Sequence, residues 1–204
     1  MMARTPSSWD ERFALPGYAY GDEPNVFIAE VAPCIPSGPV LCLAEGQGRN
    51  AVFLAERGLD VTMMDQSAVG LARARELAAA RGVSVATVQG DLADFPIVPG
   101  AWAAIVSVFA HVPRALRADV HRRVAAGLRP GGVFAFVAYS PRQLHMGTGG
   151  PKDVSLLPTV DDLREELAGL ALEVAEEVER DLDEGTLHVG RSALVQVLAR
   201  RPLS

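Results

Sequence analysis

Residues 39–55 read Pro-Val-Leu-Cys-Leu-Ala-Glu-Gly-Gln-Gly-Arg-Asn-Ala-Val-Phe-Leu-Ala, and they indicate the fold class more clearly than any other part of the chain. Its first part, residues 40–44, is a short apolar run typical of a parallel strand that is buried on both faces. Its last part, residues 51–55, is apolar all round, as in a helix packed against a sheet. Gly46 and Gly48 lie between them, where their backbone can adopt positive φ and approach a ligand closely. The stretch therefore predicts a strand, a glycine turn (residues 45–50) and a helix that together bind a polar ligand.

Two acids narrow the class of ligand. The spacing Gly46-x-Gly48-x-x-Ala51 also fits the dinucleotide-binding fingerprint, so the glycines alone decide little. Glu45, however, stands immediately before the first glycine, and Asp65 ends the next apolar run, residues 59–64. Carboxylates accept hydrogen bonds from amines and from hydroxyls. We therefore expect Glu45 to face an amine and Asp65 to face a ribose.

In these residues the chain resembles the class I S-adenosyl-L-methionine (SAM) methyltransferases. Their first motif runs acid-Gly-x-Gly, and their acid after the second strand holds both ribose hydroxyls. The variant Glu-Gly-Gln-Gly-Arg-Asn at residues 45–50 is similar to the tellurite-resistance and thiol methyltransferase branch, although Glu45 stands where Asp is commoner. The resemblance implies SAM as cofactor and S-adenosyl-L-homocysteine as product. It also implies a single Rossmann-like α/β domain: a seven-stranded, mostly parallel sheet with helices on both faces and an antiparallel last strand.

Length and charge bound the remaining possibilities. The 204 residues fit one domain, divided here into an N-terminal arm and helix (1–36), a cofactor-binding core (37–140) and an acceptor-side loop, helix and C-terminal hairpin (141–204). A net charge of −6 favours a small-molecule substrate over nucleic acid. No apolar run approaches the roughly 18 residues of a membrane span, so we expect a cytoplasmic monomer or homodimer without a membrane partner. No Cys and His cluster predicts a metal.

Further positions at the carboxyl ends of predicted strands are assigned to the cofactor. Asp91 follows the third predicted strand, residues 83–88, at the edge where open α/β sheets bind ligands. We assign it to the adenine amino group; the alternative is an acid that caps a turn at residues 93–96. The complete predicted cofactor set is Tyr20, Glu45, Gly46, Gly48, Asn50, Asp65, Gln66, Asp91, Leu92 and Val108.

The N-terminal arm (residues 1–22) is rich in aromatic residues and lacks helix or strand periodicity. It precedes a helix predicted for residues 23–31, with Asp22 as N-cap and Pro24 in the first turn. Two interpretations stay open: a lid over a bound ligand, or an arm packed across the domain. The resemblance favours the lid, because relatives carry a Tyr-Gly-x-x-Pro-Asn stretch, here residues 20–25, beside cofactor and substrate. We assign Tyr18 to the substrate.

The acceptor side of the chain is less regular. The connection of residues 140–159 contains the chain's only lysine, Lys152, which is either a contact for an anionic substrate, as the resemblance implies, or an ordinary exposed side chain. A helix is predicted for residues 114–128, with its arginines mostly on a solvated face. Residues 170–182 fit helix and strand periodicity equally, and the resemblance makes them a sixth strand that a turn at 183–186 connects to the last one.

The predicted chemistry is methyl transfer to a small soft nucleophile, a thiol or an oxyanion such as tellurite or selenite. Orientation of donor and acceptor is then the main contribution of the protein, worth up to ~7–11 kcal/mol. An acceptor that needs a base would find His111 or His188, the available imidazoles, and the resemblance places His188 near the substrate. A non-catalytic SAM-binding regulator remains an alternative. An NAD-linked oxidoreductase is disfavoured, because Glu45 precedes the glycines and no Tyr-x-x-x-Lys pair is evident.

Overall fold

The computed structural model describes residues 6–185 and 188–203. One sheet contains seven strands in the order β3-β2-β1-β4-β5-β7-β6. Strands β1 to β5 run parallel to one another, whereas β7 is antiparallel to both β5 and β6. The expected mostly parallel sheet with an antiparallel last strand is confirmed. The strands are β1 (Pro39–Leu43), β2 (Asp60–Asp65), β3 (Ala86–Gln89), β4 (Trp102–Val108), β5 (Leu128–Tyr139), β6 (Ala171–Glu184) and β7 (His188–Arg200).

Helices cover both faces of the sheet, and the alternation along β1 shows how the core divides. Val40 and Cys42 belong to the apolar layer formed with α2, α3 and α4, whereas Leu41 and Leu43 belong to the layer formed with α5 and α6. A strand buried on both faces therefore runs through the centre of the domain. The helices are α1 (Pro6–Phe13), α2 (Val26–Val31), α3 (Arg49–Glu56), α4 (Ala68–Ala80), α5 (Arg114–Gly127) and α6 (Val160–Glu166), with short 3-10 turns at Ala32–Cys34, Pro141–His145 and Val154–Leu156.

Several local predictions hold. The Ser67 hydroxyl accepts from the backbone N–H of Gly70 and caps α4, and Thr159 with Asp162 forms a capping box at the start of α6. Residues 171–182 of the ambiguous segment lie in strand β6. The predicted turn at 183–186 falls partly outside the described residues, but Glu184 at the end of β6 pairs with His188 at the start of β7.

Other predictions were wrong. The helix predicted from residue 23 begins at Val26, with Asn25 as its N-cap, because the Asn25 side chain accepts from the N–H of Phe27 while Glu23 forms an ion pair with Arg81. The N-terminal arm contains a helix, α1, where no periodicity was expected.

Of the arginines assigned to a solvated face of α5, Arg117 is buried. It forms an ion pair with Glu166 of α6 at 2.8 Å, and His121 contacts the same carboxylate at 2.8 Å. A buried carboxylate shared by two basic side chains needs both partners, and this cluster holds α5 against α6. The sequence pattern could not show it, because Glu166 lies 49 residues from Arg117.

None of the helices that the structure describes is both long enough and apolar enough to cross a membrane.

Candidate cofactor and acceptor site

Two strained backbone positions mark the carboxyl edge of the sheet. Ala44, after β1, has φ 48°, and Phe109, after β4, has φ 55°. Residues other than glycine rarely adopt positive φ, and such backbone strain concentrates at functional sites. β1 and β4 are adjacent in the sheet, and the strand order reverses between them. Open α/β sheets bind ligands at such a point.

Within the glycine turn, both glycines have left-handed backbone conformations, with φ 61° at Gly46 and 88° at Gly48. Each is also a place of close approach. A Cβ at Gly48 would lie 2.6 Å from the Cβ of Ala74 in α4, and a Cβ at Gly46 would lie 2.9 Å from the ring of Phe13. The turn therefore requires glycine for both backbone conformation and packing.

Glu45 is buried at the start of α3 and accepts hydrogen bonds from two backbone N–H groups, those of Asn50 at 2.7 Å and Ala51 at 3.1 Å. It thus satisfies donors that a helix start leaves unpaired. Burial raises the pKa of this carboxyl, and these hydrogen bonds oppose part of the rise. Its second oxygen accepts one long hydrogen bond, from the Asn50 amide nitrogen at 3.4 Å. This oxygen can therefore still accept a hydrogen bond from an amine.

Asp65 connects the glycine turn to α4. One carboxylate oxygen accepts from the N–H of Gly46 at 2.7 Å and the other from the N–H of Ser67 at 2.8 Å. Burial raises the pKa of Asp65, and the nearby Asp10 carboxylate adds to that rise. A carboxylate offers about four acceptor positions, so acceptor capacity remains for hydroxyl groups of a ligand.

The N-terminal arm packs directly on the turn. Phe13 is buried between Gly46 and Gly70, and Asp10 accepts hydrogen bonds from the Ser67 hydroxyl and the Val69 N–H. The described part of the arm is therefore fixed across the edge of the sheet where a ligand would bind. This contact is compatible with both interpretations of the arm, because a lid in its closed state also packs there.

Five rings meet at the carboxyl ends of β4 and β5 and the start of β7, and together they form what we term the aromatic cluster. The ring of His188 lies 4.4 Å from those of Tyr20 and Phe109 and 5.5 Å from that of Tyr139. His111 stacks on Tyr139 at 5.5 Å. The structure therefore brings three predicted site residues, Tyr20, His111 and His188, into one cluster, and adds Phe109 and Tyr139.

The two imidazoles of the aromatic cluster are weak bases. His111 Nε2 accepts a hydrogen bond from the backbone N–H of Tyr139 at 3.1 Å, and burial, with a contribution from His188, lowers its pKa to about 3. Burial also lowers the pKa of His188, although Glu184 opposes the change. Both rings are neutral near pH 7, and the Nε2 lone pair of His111 is already used by the backbone.

Polar side chains link the turn to the opposite half of the domain. The Asn50 amide oxygen accepts from the N–H of Asn25 at 2.9 Å, and the Asn25 amide donates to Glu184 at 2.8 Å. Arg49 donates to the other oxygen of Glu184 at 2.6 Å. Asn25, Arg49 and Glu184 are absent from the predicted site. Arg49 and Asn25 lie inside the quoted motifs and could have been included, whereas Glu184 lies in a strand that the periodicity left undecided.

The remaining predicted cofactor residues are dispersed. Asp91 is exposed and accepts from the N–H of Ala93 at 2.9 Å, which is the turn-capping geometry of the alternative interpretation; its assignment to adenine stays a prediction. The Gln66 carbonyl accepts from the Gln89 side chain at 3.1 Å beside the end of β2. Leu92 packs in the layer with α5, and Val108 is buried at the end of β4 in the layer with α2 to α4.

The predicted substrate residues lie apart from the aromatic cluster. Tyr18 packs against Leu77 and Ala78 of α4, with the Arg73 guanidinium 5.5 Å from the centre of its ring. Lys152 is exposed, and its ammonium group is 3.5 Å from the carbonyl of Thr148.

The loop that carries Lys152 is tied down at one end. The buried Gln143 side chain donates to the Gly149 carbonyl at 2.9 Å and accepts from the N–H of Ala193 in β7 at 2.7 Å. Gly150 then approaches the ring of Tyr139 so closely that a Cβ would lie 2.9 Å from it. A cavity of about 450 Å³ opens beside the cluster, lined by residues 20–24, Val26 and residues 181–185.

Part of the chain matches a known protein family. Residues 40–132 match a family described as "Methyltransferase domain". The match spans less than half of the chain, and the matched segment is similar to methyltransferase domains. It runs from β1 into β5 and includes the glycine turn, Asp65 and the predicted adenine region. The cofactor of this domain is SAM.

One curated relative is an uncharacterized methyltransferase, YbaJ, of Bacillus subtilis (strain 168), which is 38% identical over 65 residues. That match covers 32% of this chain and only 26% of the relative.

Solved structures resemble the whole chain in fold. One, titled "Conversion of a Disulfide Bond into a Thioacetal Group during Echinomycin Biosynthesis", has a TM-score of 0.76 at 19% identity and covers 98% of this chain and 94% of its own. Another, TehB from Haemophilus influenzae, has a TM-score of 0.72 at 22% identity and covers 87% of this chain and 62% of its own.

The residues fit SAM on grounds of their own geometry. A left-handed glycine turn gives a ligand access to the backbone, Asp65 keeps free acceptor positions for ribose hydroxyls, and Glu45 keeps one for an amine. When bound, SAM supplies an electrophilic methyl group on a sulfonium.

Proposed function

We propose that the chain transfers the methyl group of SAM to a small soft nucleophile, a thiol or a chalcogen oxyanion such as tellurite or selenite. The observation that carries the proposal is the state of the two imidazoles in the aromatic cluster. His111 is a very weak base with an occupied Nε2, and burial weakens His188 as a base. An alcohol needs proton removal as it attacks and a protonated amine must first lose its proton, whereas a thiolate or an oxyanion is already nucleophilic.

In this proposal the two halves of the site have separate tasks. Within the core of residues 37–140, the cofactor residues hold SAM, with Glu45 at its amine, Asp65 at its ribose and Asp91 at its adenine. The aromatic cluster faces the methyl group and the acceptor. Aromatic faces attract cations, so Tyr20 and Phe109 suit a sulfonium. Aromatic rings also exclude water, which suits an anionic acceptor that must lose its hydration shell.

The acceptor side comprises residues 141–204, the C-terminal part of the domain. His188 lines the acceptor position as a neutral ring, while His111 orients the end of β5 through the Tyr139 N–H. Lys152 and Tyr18 lie outside the cluster in this conformation, so a role for either in substrate contact requires movement of the loop or the arm. Such closure over bound SAM would exclude water from the reacting groups.

One comparison supports sulfur as the acceptor atom. The solved structure with the TM-score of 0.76 concerns conversion of a disulfide bond into a thioacetal group. The sequence of residues 45–50 independently resembles the tellurite-resistance and thiol methyltransferase branch. These likenesses support a soft acceptor; the weak bases of this chain are the stronger ground.

The pH dependence of turnover tests the proposal. With an aromatic thiol and a less acidic alkyl thiol as acceptors, kcat/KM should rise with pH and level off at the pKa of each thiol, so the two midpoints should differ. His188→Gln should lower kcat/KM and leave both midpoints in place, because a neutral ring with a depressed pKa does not titrate near pH 7. A midpoint shared by both thiols and abolished by His188→Gln would instead identify His188 as a general base. SAM binding without methylation of any thiol, selenite or tellurite would favour a non-catalytic regulator.

A further inference from the structure

Arg49 is a buried cation with an unused donor. Its side chain is 7% exposed, and its Nη2 donates to Glu184 at 2.6 Å. Its Nη1 is buried and has no hydrogen-bond partner among the residues that the structure describes. A guanidinium carries five N–H donors, and a buried donor without an acceptor is costly. The position therefore favours a ligand that supplies an acceptor.

The surroundings of Arg49 specify the charge of that ligand. Arg49 is the first residue of α3 and follows Gly48 directly, so its backbone is part of the glycine turn. Its guanidinium is near enough to Glu45 to counteract part of the rise that burial imposes on the pKa of that carboxyl. An acid with room for an amine and a guanidinium with a free donor thus flank the same turn.

This pairing matches the amino-acid end of SAM, which bears an ammonium and a carboxylate on one carbon. We propose that Nη1 of Arg49 binds the carboxylate of the methionine portion of SAM, while Glu184 acts as a positioning residue that holds the guanidinium in place. Planar guanidinium groups recognise carboxylates with high directional specificity. The proposal rests on SAM as the cofactor and is independent of the acceptor.

Glu184 suits the positioning role because it is fixed from two sides. Asn25 donates to one of its oxygens and Arg49 to the other. Burial opposes ionisation of this carboxyl, but His188 and Arg49 outweigh burial and hold its pKa below the usual value. An ionised Glu184 that is anchored by the Asn25 amide keeps the Arg49 side chain from rotating away from the turn.

Arg12 is the rival cation. It donates to the Tyr20 hydroxyl at 2.7 Å and lies 4.8 Å from the ring of Trp9. It belongs to the N-terminal arm rather than to the turn, and its role in the present structure is to hold Tyr20. Arg12→Met is therefore the matched control: it removes a nearby guanidinium that is not bonded to Glu184.

Calorimetric titration with SAM and with decarboxylated SAM, which lacks only the carboxylate, tests the proposal without turnover. The natural chain should bind SAM at least tenfold more tightly than decarboxylated SAM. Arg49→Met should weaken SAM about tenfold and change the affinity for decarboxylated SAM less than twofold, thereby erasing the preference. Arg12→Met should preserve the preference.

Removal of Arg49 leaves Glu184 buried without its counter-charge, which can destabilise the fold. The double variant Arg49→Met/Glu184→Gln avoids that charge and should show the same loss of preference. Glu184→Gln alone should reduce the preference partially, because the guanidinium remains but is less well oriented. Equal weakening of both ligands by Arg49→Met and the double variant would show that Arg49 is purely structural and overturn the proposal, as would an unchanged preference. If the natural chain bound neither ligand, the cofactor assignment itself would fall; normal SAM binding without turnover would count only against the proposed acceptor.

Discussion

Gly48→Val is expected to abolish measurable SAM binding and to lower the free energy of unfolding by about 2–6 kcal/mol. The backbone at position 48 has φ 88°, which valine rarely adopts. The Cβ of the new side chain would lie 2.6 Å from the Cβ of Ala74. Because Ala74 lies in α4 and is fully buried, the helix must shift, and the glycine turn must move with it. Chemical denaturation followed by circular dichroism measures the loss of stability, and calorimetry measures the loss of affinity.

Gly58→Val separates backbone strain from close approach. Gly58 follows α3 with φ 79°, but a Cβ there would have no atom within 4 Å. This variant should lose stability from backbone strain alone, roughly 1–3 kcal/mol, and bind SAM normally. If Gly48→Val also bound SAM like the natural chain, the turn would not be the cofactor site.

Asp65→Ala is expected to weaken SAM binding by about 1.5–3 kcal/mol, which corresponds to about 10–150-fold in Kd. The change removes the proposed ribose acceptor and also frees the N–H groups of Gly46 and Ser67 that the carboxylate now holds. Circular dichroism should show an intact fold.

Asp10→Ala is the control for the loss of an acid at this place. Asp10 contacts Ser67 and Val69 but belongs to the N-terminal arm, and its carboxylate raises the pKa of Asp65. Its removal should therefore weaken SAM binding much less than Asp65→Ala. An unchanged Kd for Asp65→Ala, with the fold intact, would remove Asp65 from the ribose role.

The central part of the fold was predictable because local signals agree with one another there. The apolar run of β1, the two glycines and the spacing to Asp65 all specify one strand-turn-helix unit, and the structure contains it. The prediction of β6 as a strand came from the resemblance rather than from periodicity, since residues 170–182 fit the alternation of a strand as well as the four-residue repeat of a helix; the structure confirms it. A segment can be predicted from sequence when its local propensity, apolar pattern and turn residues all indicate the same structure.

The sequence could not predict contacts that join distant segments. Phe13 reaches Gly46 and Gly70, and Arg49 meets Glu184 across 135 residues. Helix α1 was missed because it is short and is anchored by Phe13 and by hydrogen bonds to Asp10 rather than by an apolar stripe. The state of His111 was equally hidden, because it depends on the backbone N–H of Tyr139 in the neighbouring strand β5.

The central claim is that this chain methylates soft nucleophiles without a general base, and a matched set of acceptors tests it most directly. Thiophenol, phenol and aniline have the same ring and differ in the nucleophilic atom. Methyl transfer from SAM carrying a deuterated methyl group, followed by mass spectrometry of the products, compares the three at equal concentration. The account predicts that thiophenol is methylated at least a hundredfold faster than phenol or aniline, with one S-adenosylhomocysteine formed per methyl transferred. Faster methylation of phenol or aniline than of thiophenol would contradict it.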